Sequence, residues 1–356
     1  MGSTVEAPAA AQQKSALARF GSIVLTVAIL YLVFVVVLPS IASYEDIWRS
    51  ITSMAVPTAV ALVAIGLVLL MLTGMQLAAG LPGLRPWPAI STQPPASAIG
   101  AVVPGGMVPA RAVFLRRFGV STATYTRSYA AAALTVTACV LVMPVVGLIV
   151  FLVVPQTADA RDMRTLALVS SGVSLAVAAA MIAMLSSRAI CQWCARNAAG
   201  LAGKSAWLTR KLAPQKWEEA VMIWREDTGQ ILRERRARLT GSVMAVYWLN
   251  GGLMIACMYA CGLPYSAMSV LTGLATWSIA RLLLSVPLTP GGVGVLELGY
   301  SAIFTAMVAA QFDESVVAGV LLYRALTYVM PVFLGGIMIF IVRLRLRNAP
   351  VAVKQT

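Results

Sequence analysis

The chain is 356 residues long, 60% hydrophobic and only 11% charged, with a mean hydropathy of +0.85, which excludes a soluble globular protein and implies a polytopic helical membrane protein. Its net charge of +14 would suit a nucleic-acid binder, but no nucleic-acid module is present, so no nucleic-acid partner is expected. In a membrane protein the same excess of Lys and Arg orients loops toward the cytoplasm and toward anionic headgroups.

Residues 1–19 are Ala/Gln/Ser-rich and are expected to be disordered. Gly21–Leu38 is the first apolar span, too long for a cleaved signal. Ile41–Met54 carries Tyr44, Glu45, Asp46, Trp48 and Arg49 and fits an interfacial helix. Ala55–Ala79 is the second span, stopped by Gly80, Pro82 and Gly83. Pro86–Pro109 holds six prolines and few charges, too apolar for a solvated linker and too broken for a spanning helix. A re-entrant or surface-buried hairpin fits it, closed by Arg111, Arg116 and Arg117.

Tyr125–Val154 is a long apolar run interrupted by Pro144, so a kinked or tilted span is expected. The polar loop Gln156–Arg164 leads to the span Leu166–Leu185. Arg188–Arg238 carries eleven basic and five acidic residues. Within it Trp217, Val221, Trp224, Thr228 and Ile231 recur at helical spacing, which predicts an amphipathic helix lying on an anionic lipid surface. Trp193 and Trp207 join Trp217 and Trp224 as expected interfacial anchors. Next come the spans Ser242–Cys261 and Met268–Pro287, a Pro-Gly-Gly break, Leu298–Ala310, a short acidic turn at Asp313–Glu314, and Val316–Val342. A basic tail follows (Arg343, Arg345, Arg347), with residues 346–356 beyond the membrane domain. The basic loops place both termini in the cytoplasm.

There is no histidine, which removes the commonest general base, metal ligand and near-neutral switch. Cys191 and Cys194 form a C-x-x-C without a second pair to complete a zinc set, so no metal and no cofactor is expected.

Two stretches break the apolar pattern in the same way. Pro104-Gly105-Gly106 is followed, seven residues after its proline, by Arg111; Pro290-Gly291-Gly292 is followed at the same offset by Glu297. Gly294 extends the second break. Proline lacks an amide proton and glycine costs roughly 1 kcal/mol in a helix, so neither run holds regular helix. Broken backbone survives at membrane depth only where protein buries it or water reaches it. Glu297 is the one carboxylate embedded in an apolar stretch, where a charge costs about 3 kcal/mol or more and marks function by default. Paired breaks in matching positions of two halves point to inverted repeats with a midplane site.

The run Val286-Pro287-Leu288-Thr289-Pro290-Gly291-Gly292-Val293-Gly294-Val295-Leu296-Glu297 closely resembles the signature of the lysylphosphatidylglycerol synthase/flippase transmembrane family. Two further pieces agree: Pro104 to Gly119, and L-L-Y-R-A-L-T-Y-V-M-P with Arg324 and Pro331, ending at Gly335-Gly336. The resemblance covers roughly residues 20–345 as a flippase-like transmembrane domain. It implies a flippase moving a phosphate-containing phospholipid, polyprenyl or other envelope lipid across the cytoplasmic membrane. Bifunctional members carry a soluble aminoacyl-transferase domain after the membrane part. This chain ends at Thr356, so transport rather than lysyl transfer is expected. The alternative is a non-catalytic accessory or scaffold subunit of a lipid-modifying or glycolipid pathway.

The expected fold is therefore all-α, a bundle of six to eight membrane segments with two re-entrant or broken helices. Arg111, Glu297 and Arg324 are expected to converge on one buried cavity that receives an anionic lipid headgroup, with the carboxylate offsetting the two guanidiniums. The glycines of both breaks would offer free amides and close backbone approach. Arg281, nine residues before Pro290, has snorkelling to an interface as its leading reading. The lipid's identity is open, and a homo-oligomer is compatible with the sequence.

Overall fold

The computed structural model describes residues 44–81, 83–103, 105–153, 161–187, 189, 191–193, 214–284 and 292–347. The expected N-terminal tail and first span, Pro104, Pro290, Gly291, Cys194, Trp207 and the tail past Arg347 lie outside the described residues, as do the side chains of Trp217 and Trp224.

Among the described residues every regular element is a helix. They are α1 (Tyr44–Thr52), α2 (Val56–Gly80), α3 (Pro86–Ser91), α4 (Gln93–Val102), α5 (Met107–Arg116), α6 (Thr122–Val153), α7 (Arg161–Ser186), α8 (Pro214–Ala260), α9 (Val270–Leu283), α10 (Val295–Thr305), α11 (Asp313–Arg324) and α12 (Met330–Arg347). A five-residue π turn, Ala325–Val329, joins α11 to α12 without interrupting the rod. Five stretches are long and apolar enough to cross a membrane: Val56–Gly80, Thr122–Val153, Thr165–Ala183, Gly229–Ala260 and Ala310–Leu344. The chain is a polytopic helical membrane protein. Val146, Leu168, Val173, Phe333 and Phe340 are exposed on its outer faces, as contact with lipid tails requires.

Residues 214–241 do not form a separate surface helix. They run without a break into the following span as the 47-residue α8. At 1.5 Å per residue that is roughly 70 Å, more than twice the roughly 30 Å of a bilayer core. The weak helix formers at the junction Arg238-Leu239-Thr240-Gly241 are Thr240 and Gly241, and the glycine's cost of about 1 kcal/mol does not end a helix supported on both sides.

The proline-rich stretch folds as short helices, α3, α4 and α5, because prolines can open a helix, where their missing amide is harmless. Pro86 and Pro94 fall in the first turns of α3 and α4. The second broken stretch is the pair α9 and α10. The two pairs are packed reciprocally: α4 lies on α12, the last helix of the other half, and α9 lies on α6, a long helix of the first. Within each half α5 packs on α6 and α10 on α11, and α2 packs on α8 across the two halves.

Glycine allows these crossings. A Cβ at Gly147 would stand 3.0 Å from the Ala275 carbonyl oxygen, and one at Gly319 would stand 2.5 Å from Met258 Cα. One at Gly335 would run into the Pro94 carbonyl, so the close approach of α12 to α4 depends on that residue. Ser171 adds a buried hydrogen bond at 3.1 Å to the Pro144 carbonyl, tying α7 to α6, and Pro144 itself stays inside α6. The core gathers Leu62, Leu69, Val140, Met143, Leu253, Met254, Met258, Trp277, Phe304, Val316, Val320 and Leu326 from helices of both halves.

Candidate functional site

Gly294 adopts φ +85°, a conformation that only glycine takes cheaply, and it starts α10 abruptly at Val295. Glu297 is then the third residue of the helix, the position from which a carboxylate reaches back to the unpaired amides of the first turn. Its Oε2 accepts from the Gly294 amide at 2.7 Å. Its Oε1 accepts from Arg324 Nε at 2.7 Å. Glu297 is 4% exposed and Arg324 9%, so the pair is buried. Both carboxylate oxygens are used, one to cap the helix after the break and one to hold α11.

Arg324 is the last residue of α11, where a cation also suits the helix C-terminus. The π turn that follows has a local cause. Pro331 has no amide to give the Thr327 carbonyl, and Met330 instead bonds five residues back to Ala325. Within that turn the Arg324 guanidinium carbon stands 4.7 Å above the Tyr328 ring, a cation–π contact.

Arg324, Thr327, Tyr328 and Pro331 border a cavity of about 650 Å³ between the two halves. Arg281, Arg324, Trp277, Tyr300 and Leu296 line it from the second half, and Thr73, Gln76, Gln93, Gly105 and Met107 from the first. Trp277 stacks on Tyr300 with ring centres 5.3 Å apart, and Tyr323 meets both rings edge-on at 5.8 and 6.3 Å. The Tyr323 hydroxyl donates to Asn250 Oδ1 at 2.9 Å, coupling α11 to α8. No Asp or Glu is among the described residues that line the cavity.

The sequence-predicted residues therefore part company. Glu297 and Arg324 come together as expected. Arg111 is buried but does not line the cavity; its guanidinium donates to the Gly74 carbonyl at 3.1 Å, to the Ala89 carbonyl at 2.8 Å and to Thr92 Oγ1 at 3.4 Å. It fastens α5 to the end of α2 and to α3. The expected three-way convergence fails for a reason of register. Arg111 and Glu297 are equally far from their prolines, but α5 begins at Met107 and α10 at Val295. Arg111 is thus the fifth residue of its helix and Glu297 the third. Two residues at about 100° each turn the side chain to the opposite face.

The breaks differ too. Gly105 carries the positive φ (+70°) in the first, whereas Gly292 (+68°) and Gly294 carry it in the second. Gly105 lies on the cavity, but the neighbouring tip, Val102 and Val103, is exposed, so the first break sits at the cavity rim rather than deep inside. The second is better enclosed, with Gly294 and Glu297 buried.

Sequence reasoning missed Arg281 as a cavity residue, although an arginine four residues after Trp277 in an apolar helix was the available signal. It also missed Gln93 and Asn250, uncharged residues that leave no trace in a count of buried charges. Comparison with curated proteins and with solved structures returned no match. The family model described as the lysylphosphatidylglycerol synthase TM region matches residues 12–335, the broken helices and the paired charges with them, and the chain belongs to that family.

Proposed function

We propose that the protein is a lipid flippase that moves a phosphate-bearing lipid across the cytoplasmic membrane through the cavity between its halves. One observation carries the reading: a cavity of headgroup size, walled by both halves, holds Arg281 and Arg324 inside an apolar bundle. Arginine bonds phosphate bidentately through its planar fork. A headgroup taken up there exchanges water for guanidinium, amide and hydroxyl groups while its acyl tails stay against the apolar outer helices. In this reading the headgroup competes with Glu297 for Arg324. Winning that competition releases α10 from α11, and the break at Gly292–Gly294 is where the backbone can give. Arg111 serves this indirectly, as a positioning residue that holds α5 and the rim of the cavity.

The reading concerns transport and assigns no bond-breaking step. Its orientation follows the basic residues: the first 25 residues of α8, rich in Arg and Lys, lie with both termini on the cytoplasmic side. An impermeant thiol reagent applied from outside should leave Gln230→Cys unlabelled.

The test is translocation of tail-labelled fluorescent phosphatidylglycerol in proteoliposomes, read by an impermeant quencher. The parent should speed it, and Arg324→Ala and Glu297→Gln should both slow it. Parent-like rates in both variants, or no acceleration by the parent, would sink the proposal.

A further inference from the structure

We infer that the groove between α6, α7 and α8 seats one acyl chain of an anionic phospholipid, whose phosphate is held by Arg233 and Arg236 at the membrane surface. This lipid resides on the outer wall of the bundle and is not the transported molecule, so the inference does not depend on the transport reading.

The groove exists because two neighbours do not meet. α7 packs along α6 and against α9, and α8 packs along α6, but α7 and α8 do not pack along each other. The space left between them holds about 350 Å³, with Thr135, Cys139 and Met143 of α6 as its floor and Met181 and Met244 on its two sides. None of its lining residues borders the cavity between the halves. The floor is buried, while Val142 at the lip is 52% exposed, so the groove opens on the lipid-facing side. That floor offers water nothing. The Thr135 hydroxyl is given to the Ala131 carbonyl at 2.9 Å, and the rest is hydrocarbon and sulfur. In a bilayer such a slot fills with an acyl chain, and the three methionines adapt its walls to one.

Charge fixes the other end of the occupant. Along α8 the groove runs from Met244 through Thr240 to Leu232. Arg236 stands one turn from both Thr240 and Leu232, and Arg233 two turns before Thr240 on the same face. Both arginines are exposed, and among the described residues neither has an ion-pair or hydrogen-bond partner. Their charged neighbours are otherwise engaged or distant. Arg235 donates to the Ala79 carbonyl at 3.4 Å, and Glu234 accepts from Gln230 at 3.0 Å. Glu226 lies two turns before Arg233, about 10 Å farther from the membrane. Counting back from Ala260 the roughly 20 residues that a bilayer core requires reaches Gly241. Arg236 therefore falls at headgroup depth, with the apolar part of the groove inside the core. A phosphate there meets two guanidiniums while its chain descends past Thr240 into the slot.

The test maps where a lipid chain rests. The full chain is reconstituted in phosphatidylcholine vesicles doped with phosphatidylglycerol or phosphatidylcholine carrying a diazirine in one acyl chain, and the adducts are located by peptide mass spectrometry. The phosphatidylglycerol probe should mark Cys139, Val142 or Met181 about fivefold more than the phosphatidylcholine probe, as surface guanidiniums predict. Arg233→Gln/Arg236→Gln removes two exposed, unpartnered charges and so spares the fold. It should bring the two probes level in the groove and leave adducts elsewhere unchanged. Ala138→Trp plugs the slot and should remove the groove adducts with both probes. Groove adducts without a preference for phosphatidylglycerol, or a preference that survives the double variant, overturn the inference. So does an even scatter of adducts over all lipid-facing helices, which marks annular lipid only. A groove without adducts overturns it too, and its occupant is then a segment of the chain itself.

Discussion

Glu297 divides its carboxylate between two tasks: Oε1 takes Arg324 Nε at 2.7 Å, and Oε2 takes the Gly294 amide at the same distance. One side chain thereby fixes the start of α10 after the helix break and the end of α11 before the π turn. Removing one partner of a buried pair leaves an uncompensated charge and costs about 3–5 kcal/mol.

Glu297→Gln keeps the shape and the cap but discharges the pair, so the melting temperature should fall and translocation should slow. The double variant Glu297→Gln/Arg324→Met separates the two effects. Replacing a buried ion pair by uncharged groups is often neutral, so the double variant should recover most of the stability yet stay inactive. Recovery of transport with stability would mean that the pair only holds the fold.

Arg111 should behave in the opposite way. It satisfies two backbone carbonyls and the Thr92 hydroxyl inside the protein. Hydrogen bonds from a charged group are worth about 1.5–3 kcal/mol each, so Arg111→Ala should destabilise strongly. Arg111→Lys, with one point charge in place of a fork, should be intermediate. The lipid preference of whatever folded protein remains should match the parent's. A changed preference without a stability loss would place Arg111 in the cavity's chemistry after all.

The helix crossings give a matched pair of tests. Gly335 and Gly336 are neighbours, but a side chain at Gly335 would collide with the Pro94 carbonyl, while one at Gly336 meets nothing within 4 Å. Gly335→Val should cost at least the roughly 1–3 kcal/mol of an overpacked core and reduce folded yield. Gly336→Ala should be tolerated. Equal behaviour in thermal melts would contradict the packing of α12 on α4.

Much of this was legible in the sequence, and the losses have physical causes. Glu297 announced itself because a lone acid between apolar spans has few innocent explanations, and Arg324 because it was the cation in the next span. The spans Ala55–Ala79 and Leu166–Leu185 appear within a few residues of their predicted ends. Arg111 misled because offset from a proline is a sequence distance, whereas side-chain direction depends on where the helix begins. Arg281 was obscured because an arginine near a helix end has a commonplace reading. The amphipathic pattern of residues 217–231 was real as helix, but periodicity carries no information about whether that helix is separate from the next.

The π turn supplies the last prediction. It places one extra residue between Arg324 and α12, and it exists because Pro331 has no amide for the Thr327 carbonyl. Pro331→Ala restores that amide, and the turn can relax to ordinary helix with one more hydrogen bond. The relaxation would rotate α12 by about 100° relative to Arg324. It would also draw Tyr328 from under the guanidinium, which it now faces at 4.7 Å. The gained bond is worth about 1 kcal/mol, the lost cation–π contact about as much, so stability should change little. Transport should drop severalfold, because Arg324, held by Glu297, could no longer keep its place relative to the lining residues Leu326, Thr327 and Pro331. Hydrogen exchange at the new residue 331 amide would report the relaxed turn directly. A slowly exchanging amide together with parent-like transport would show that the π turn has no part in the mechanism.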